Sequence, residues 1–448
     1  MSDPRVRRLP VDTGTSGWLA ISSRTLPVRT LDGDVNADWL IVGAGFAGLS
    51  AARRLARLRP GDKIVVVDAC KVAQGPAGRN SGFMIDVPHS LTSGEYSVAD
   101  EASTALEIQQ NRLAISFAAE AAAEYGMAAQ TFDPAGKINA AASGRGLRLN
   151  DNFARSLDRI GEAYKKLDAA EMREITGSTY YLGGLYTPGA AMIQPADYIH
   201  GLMQGLHSRI DIFENSPVVE LNRDGANWKA RSPKGSVTAP RVILGVNGHI
   251  QDFGHFRGRL MHVFTYASMT APFSQRDFGG HAGGGDRWGL LPADPMGATI
   301  RKITTDGRSR IVVRTRFTYD PSIRVSQRRV ARIAAEQRHS FDARFPDLAK
   351  LPFEYSWAGR LCLSWNHTPA FGEIEENLYS ACCENGLGTV KSTLAGMMAA
   401  DLATGTTSEP LEKYRNQPQP SRLPPEPLAW LGANAVIRWQ ELRAGREG

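Results

Sequence analysis

From Asp38 the chain changes from irregular polarity to an unbroken apolar run, Trp39-Leu40-Ile41-Val42. A glycine-rich turn follows at residues 43–48, and then small and apolar residues recur at helical spacing from Leu49 to Leu58. A second run, Ile64-Val65-Val66-Val67, ends at Asp68. Continuous hydrophobicity, rather than alternation, is expected of parallel strands covered on both faces. Residues 38–68 therefore predict a strand, a tight turn, a helix and a second parallel strand. Further on, residues 101–125 predict a helix with Leu106, Leu113 and Phe117 on one side and Gly126 as its stop. Another helix is predicted from Asp151, through Phe153, Leu157, Ile160, Tyr164 and Leu167. Residues 258–318 read as strands, chiefly Leu260 to Thr270 and Arg310 to Thr318, which suit an antiparallel sheet. A late helix through Leu394, Met397, Met398 and Leu402 stops at Gly405.

The two ends lack this order. Residues 1–36 are rich in Pro, Gly, Ser and Thr and predict an extended arm over the first domain, with Trp18 and Leu19 as anchors. Residues 406–448 hold a Pro-rich segment and a terminal helix with a stripe of Leu428, Leu431, Ala435, Trp439 and Leu442. That stripe is expected to dock on the protein's own body or on a second copy of the chain. A membrane anchor is disfavoured because Asn434, Gln440 and Glu441 flank the stripe without positive charge.

Composition narrows the field without choosing a function. At 448 residues the chain is long enough for two or three cores, and its 42% hydrophobic and 22% charged content is that of a globular protein. The net charge of +6 is spread out, with no basic run, so nucleic acid is not an expected partner. Cys70, Cys362, Cys382 and Cys383 form no CxxC pair, which argues for a reducing compartment and against a metal site. Arg5, Arg7 and Arg8 precede Pro10, Asp12 and Gly14 rather than an apolar stretch, so no signal peptide is expected. No stretch is apolar enough for a membrane span, and the expected location is cytoplasmic.

The turn Gly43-Ala44-Gly45-Phe46-Ala47-Gly48 is a short pattern, but it lies between a predicted strand and a predicted helix and is followed by an acidic residue at the end of the next strand. Each part has a role in holding a dinucleotide. Gly43 permits the turn, Gly45 lets a pyrophosphate approach the backbone, Gly48 lets helix and strand pack closely, and Asp68 accepts hydrogen bonds from a ribose. Two further segments favour FAD over NAD. Gly75 to Gly82 includes Gly78, Arg79, Asn80, Ser81 and Gly82, a loop suited to wrapping a second stretch of cofactor with Arg79 against phosphate. Glu384-Asn385-Gly386-Leu387-Gly388-Thr389-Val390 opens a helix whose free N–H groups would face an electron-rich ring edge.

Together these segments resemble the D-amino-acid-oxidase-like superfamily of FAD enzymes, and within it the branch typified by gamma-glutamylputrescine oxidase. Asp68-Ala69, the strand from Val242 to Gly248, Trp357-Ala358-Gly359 and Asn366 to Gly372 follow in matching order. The resemblance implies an α/β fold with a Rossmann-type FAD-binding domain, discontinuous in sequence, and a mixed or antiparallel-sheet substrate domain. The expected division is 37–100, 186–255 and 353–405 for the FAD domain, with 101–185 and 256–352 for the substrate domain. It also implies oxidation of a C–N bond in a small amine to an imine that water hydrolyses, with electrons passed to oxygen or to a carrier or quinone. A noncatalytic flavin-binding subunit is the alternative of another class. Val218 is expected at the adenine, Asn247, Gly248 and Gly359 around the cofactor, and Gly386, Leu387, Gly388, Thr389 and Val390 at the flavin. Cys362 is spaced one residue too far from Pro369 to match covalent relatives, so the FAD is expected to be noncovalent.

Candidate substrate residues are polar groups on segments expected to face the flavin: His262, Tyr266, Arg360, Trp365 and His89. A neutral His262 could help deprotonate a substrate ammonium, or be a satisfied core histidine. Arg360 could bind a carboxylate, although related amino-acid oxidases have arginine one position later, and one residue on a strand reverses its side. Arg301, Arg314 and Arg316 are further candidates.

Overall fold

The computed structural model describes residues 5–24, 26–88, 101–278 and 283–448. β1 (Trp39–Val42) and β2 (Ile64–Val67) are buried at every position, as their unbroken apolar runs require. α1 (Phe46–Leu58) joins them. α2 (Glu101–Glu124), β3 (Lys137–Ala141), α3 (Gly144–Ile160), β4 (Lys165–Leu167) and β5 (Gly183–Thr187) follow. Next come β6 (Asp211–Phe213), β7 (Arg241–Leu244), β8 (Leu260–Thr270), β9 (Trp288–Pro292), β10 (Thr299–Thr305) and β11 (Arg308–Tyr319). The chain ends with α4 (Gln327–Arg344), β12 (Phe353–Ser364), β13 (Ala370–Glu375), β14 (Leu378–Cys382), α5 (Gly388–Thr404) and α6 (Leu428–Ala444).

Two large sheets carry the architecture. The first has the order β6-β2-β1-β7-β14-β13 and is parallel except for the edge strand β13. One core cluster joins Leu49 and Ala52 of α1, Ala114 and Phe117 of α2, and Leu394 and Met398 of α5. The helix contact is close: a Cβ on Gly396 would come within 2.1 Å of the Ala47 carbonyl oxygen. The second sheet has the order β12-β8-β11-β10-β9-β3-β5-β4 and is antiparallel except where β9 meets β3. Ile300, Val313 and Phe341 share the core formed between this sheet and α4.

Several boundaries differ from the sequence reading. α2 packs chiefly on α1 and α5 through Ala114, Phe117, Ala118 and Ala121, with Ile108 sharing a small core with Leu185 of the substrate sheet and Leu113 exposed. β12 pairs with β8, which puts residues 353–364 in the eight-stranded sheet rather than the nucleotide half. β5, cut by the expected boundary at 186, lies whole in that sheet. α3 starts at Gly144, where the Ser143 hydroxyl accepts from the Gly146 amide, and stops at left-handed Gly161 with φ 70°. Tyr164 therefore falls in the next loop and Leu167 in β4.

The arm is fastened at Trp18, fully buried, whose indole N–H donates to the Asn80 carbonyl at 2.8 Å. At the other end, α6 lies on the eight-stranded sheet. Its Asn434 both accepts from the Tyr319 amide and donates to the Tyr319 carbonyl, each at 3.0 Å. The expected docking stripe does not make this contact: Leu428, Leu431, Trp439 and Leu442 are 53–68% exposed, while Ala429, Ala433, Ile437 and Ala444 face the sheet.

Candidate cofactor and substrate site

A long cavity opens where β1, β2, β7 and β14 end, and it reaches the face of β8, β11 and β12. Gly43, with φ +103°, makes the first turn; a Cβ there would sit 2.5 Å from the Gly245 carbonyl oxygen. A Cβ on Gly48 would lie 1.7 Å from the Gly43 carbonyl oxygen, so only glycine permits this crossing of helix and strand. Gly45 differs, because its nearest neighbour is Ala77 Cβ at 3.6 Å and its other side faces the cavity. Phe46, Ala47, Ala69, Asn80 and Ser81 also line the cavity.

Both helices that start at the cavity begin without a side-chain cap: α1 at Gly45 and α5 at Leu387. By contrast, Ser143 caps α3 and Ser326 caps α4. α6, which starts at the surface on Pro427, is also uncapped. Uncapped first-turn N–H groups next to a cavity favour an anionic or electron-rich ligand. Gly386, Gly388 and Thr389 line the wall at α5, whereas Val390 is wholly buried behind them. Asp68 accepts from the amides of Ala44 and Cys70, both at 2.8 Å, and burial pushes its pKa up to about 6. Val218, Asn247 and Gly248 complete the nucleotide end.

The loop from Gly75 is partly scaffold. Gly78 and Gly82 are required by close backbone approaches, to Ala73 and to Ile193. Arg79 turns away from the cavity and donates to the carbonyls of Gln74, Ala358, Thr13 and Gly14. It thus ties the arm to β12 and does not line the cavity. Gly359 makes room for the same residue, since a Cβ there would approach the Arg79 carbonyl oxygen to 2.8 Å.

The substrate candidates separate clearly. Arg360 lines the cavity but is held by Asp12 Oδ2 at 2.8 Å and donates to His249 Nε2 at 2.7 Å, so it is a structural ion pair rather than a carboxylate receptor. His249 Nδ1 faces Asp252 Oδ2 at 3.3 Å, and Asp252 pairs with Arg8 at 2.9 Å. His262 also lines the cavity, against Gly248, where a Cβ would meet its ring at 2.6 Å. Burial pushes its pKa down to about 3, which keeps it neutral and makes it too weak a base for an ammonium. Tyr266 points to the opposite side of the sheet, beneath α4, with its hydroxyl on Thr318. Trp365 is 63% exposed at the end of β12 and does not line the cavity. His89 lies outside the described residues.

Arg314 on β11 also lines the cavity and donates to Thr299 Oγ1 at 2.6 Å. Thr265, Leu291, Phe317 and Leu361 line the same cavity, and the Arg314 guanidinium lies 5.0 Å over the Phe317 ring. Arg301 donates to the Gly82 and Ile193 carbonyls, and Arg316 pairs with Glu336 and Glu441, so both are engaged elsewhere. Two contributors escaped the sequence reading. One is the arm, whose Arg8, Leu9, Pro10 and Asp12 line the cavity. The other is Glu384, named in the flavin-facing segment but given no role there, which lines the cavity and whose carboxyl burial pushes up to about 7. Its place beside the Gly386 motif was the available signal.

This combination of a glycine turn at strand ends, uncapped helix starts and a sheet-walled chamber defines a flavin-dependent oxidoreductase site. The chain matches the FAD dependent oxidoreductase family over residues 38–402 and belongs to it. It is 26% identical over 390 residues to a probable oxidoreductase, OrdL, of Haemophilus influenzae, covering 83% of each chain. It is 23% identical to the gamma-glutamylputrescine oxidoreductase of Escherichia coli, covering 90% of this chain and 92% of that one. Among solved structures, glycine oxidase from Geobacillus kaustophilus shares the fold with a TM-score of 0.68 at 19% identity, covering 87% of this chain and all of that one. Among the described residues no helix is long and apolar enough to cross a membrane, and no cluster of His, Cys, Asp and Glu could hold a metal.

Proposed function

We propose that the protein oxidises the C–N bond of a small primary or secondary amine bearing a carboxylate, such as an amino acid, opine or polyamine derivative. The observation that carries this reading is Arg314, a guanidinium that lines the cavity from the β11 face of the eight-stranded sheet, 5.0 Å over the Phe317 ring. Arg314 anchors the carboxylate in a charge-assisted pair. Thr265, Leu291, Phe317 and Leu361 exclude water around the amine, and an apolar wall favours its neutral form. Noncovalent FAD, when bound, supplies the acceptor for the hydride lost from the carbon next to nitrogen, and oxygen takes the electrons onward to give peroxide. The chain itself positions and desolvates; water hydrolyses the imine to carbonyl and amine.

The test is a screen of carboxylated amines for anaerobic bleaching of the bound flavin, followed by peroxide assay in air. Bleaching without peroxide would leave amine oxidation standing and remove oxygen as acceptor. Replacing Arg314 by Ala should lower kcat/KM for carboxylated amines by roughly 10- to 150-fold, the range of a charged hydrogen bond. An equal loss for amines without a carboxylate would refute its assigned role.

A further inference from the structure

We propose that α6 is an interfacial anchor that seats the protein on an anionic lipid surface. At about 100° per residue, Ala429, Ala433, Ile437 and Ala444 fall on one arc of α6, which meets Val263, Met296 and Phe317 of the protein's own body. Leu428, Leu431, Ala435, Trp439 and Leu442 fall on the opposite arc. The four large ones are exposed by 62%, 53%, 59% and 68%. The helix therefore has two apolar sides, and the protein's own sheet covers only the side with the small residues. A continuous exposed strip of this kind marks a surface that meets something else.

Charge identifies the occupant. Two of the polar neighbours that weigh against a membrane are engaged on the inner side: Asn434 bonds the Tyr319 backbone, and Glu441 accepts from the Phe317 amide at 2.8 Å and pairs with Arg316. On the shoulders of the outer arc stand Arg438, which pairs at 3.2 Å with the Glu441 it shares with Arg316, and Arg443, 5.5 Å over the Trp439 ring. Arg443 shares a surface depression with Arg148 and Arg155 of α3, and among the described residues none of these three pairs with a carboxylate. The acidic residue of that depression, Asp151, is bound by Lys166 at 2.6 Å. The face is therefore Leu and Trp with an arginine rim, the composition of a helix lying in a headgroup layer. A two-fold contact between copies would set this rim against itself, whereas anionic lipid complements it.

The position of the helix has a consequence for the site. Phe317 and Leu361 belong both to the seat of α6 and to the cavity wall. Docking through α6 brings the cavity wall at Phe317 and Leu361 within about 10 Å, one helix diameter, of the lipid.

The test uses the full chain with FAD, mixed with phosphatidylcholine vesicles made with and without phosphatidylglycerol, and reads cosedimentation and tryptophan emission. The expected result is binding to the anionic vesicles with a blue shift, weakened by salt. The triple variant Leu431→Ser, Trp439→Ser, Leu442→Ser should lose it with unchanged flavin absorbance and melting temperature. Arg438→Gln with Arg443→Gln should lower partitioning by roughly 30-fold, at about fivefold per arginine. Wild-type protein that stays in solution with anionic vesicles at low salt overturns the proposal, as does undiminished binding by the triple variant. A dimer in light scattering that the triple variant splits, with no vesicle binding, would assign the strip to a second copy instead.

Discussion

A single methyl group tests the nucleotide turn most sharply. A Cβ at Gly48 would overlap the Gly43 carbonyl oxygen at 1.7 Å, and backbone cannot yield as a flexible side chain can. Gly48→Ala should therefore leave a protein without bound FAD, read as loss of flavin absorbance after purification. Asp68 gives a pH prediction. Its folded carboxyl is raised to about 6, chiefly by burial, so between the unfolded carboxylate value and about pH 6 the free protein holds a proton there that the unfolded chain has released. The stability this brings is full below the unfolded value and is lost as pH rises through about 6. A ribose needs the ionised form, so FAD affinity should weaken about tenfold per unit as pH falls below 6 and level off above it. Asp68→Asn should flatten that profile in a flavin-quenching titration. At Arg360 the prediction concerns stability. Arg360→Gln strands a buried Asp12 and should cost about 3–5 kcal/mol in unfolding experiments. A normal melting curve with a raised KM would instead restore Arg360 as a substrate group. The glycines were legible in the sequence because each follows from local backbone geometry. The arginines were not. Arg79 and Arg360 find their partners on the arm, far away in sequence, and residue type alone does not say where a long cationic side chain ends.

Among elements, those with unbroken or periodic hydrophobicity were readable: β1, β2, β8 and α5 fall where the pattern puts them. The arm was read as extended chain with Trp18 as its anchor. Trp18 is buried as expected, but it sits in a short helix, Gly17–Ala20, and Gly33–Asn36 forms a strand. The arm's place in the cavity was not legible, because an aperiodic segment carries no sign of the face it covers. Structurally it is a wall: Val6 bonds the Val219 carbonyl, Asp12 holds Arg360, and Ser16 donates to the Gly78 carbonyl at 2.7 Å. Removing residues 1–14 should therefore speed FAD release while leaving the buried Trp18 contact in place. The check is the rate of flavin loss on dilution, and an unchanged rate would show that the arm is only packing. α6 shows the converse limit. Periodicity identified the helix and its stripe of large residues, yet the small residues Ala429, Ala433 and Ala444 make the closer contact with the sheet and leave the stripe outside.

At the scale of the whole molecule, the parallel sheet brings its strand ends to one side, and the antiparallel sheet walls off the space beyond them. In the parallel half β6, β13 and β14 were not read as strands, but its centre, β1, β2 and β7, was legible because those strands are apolar runs. The division between the halves was less so: β12 and α2 each belong to the half opposite the expected one, since strand pairing and helix packing depend on partners distant in the chain. What the assembled cavity does is tested most directly by titrating the FAD-loaded protein, without oxygen, with amines that carry a carboxylate. The account predicts loss of the flavin absorbance with at least one such amine and release of its carbonyl product, and a marked slowing in Arg314→Ala. Flavin that stays oxidised with every carboxylated and plain amine would contradict it.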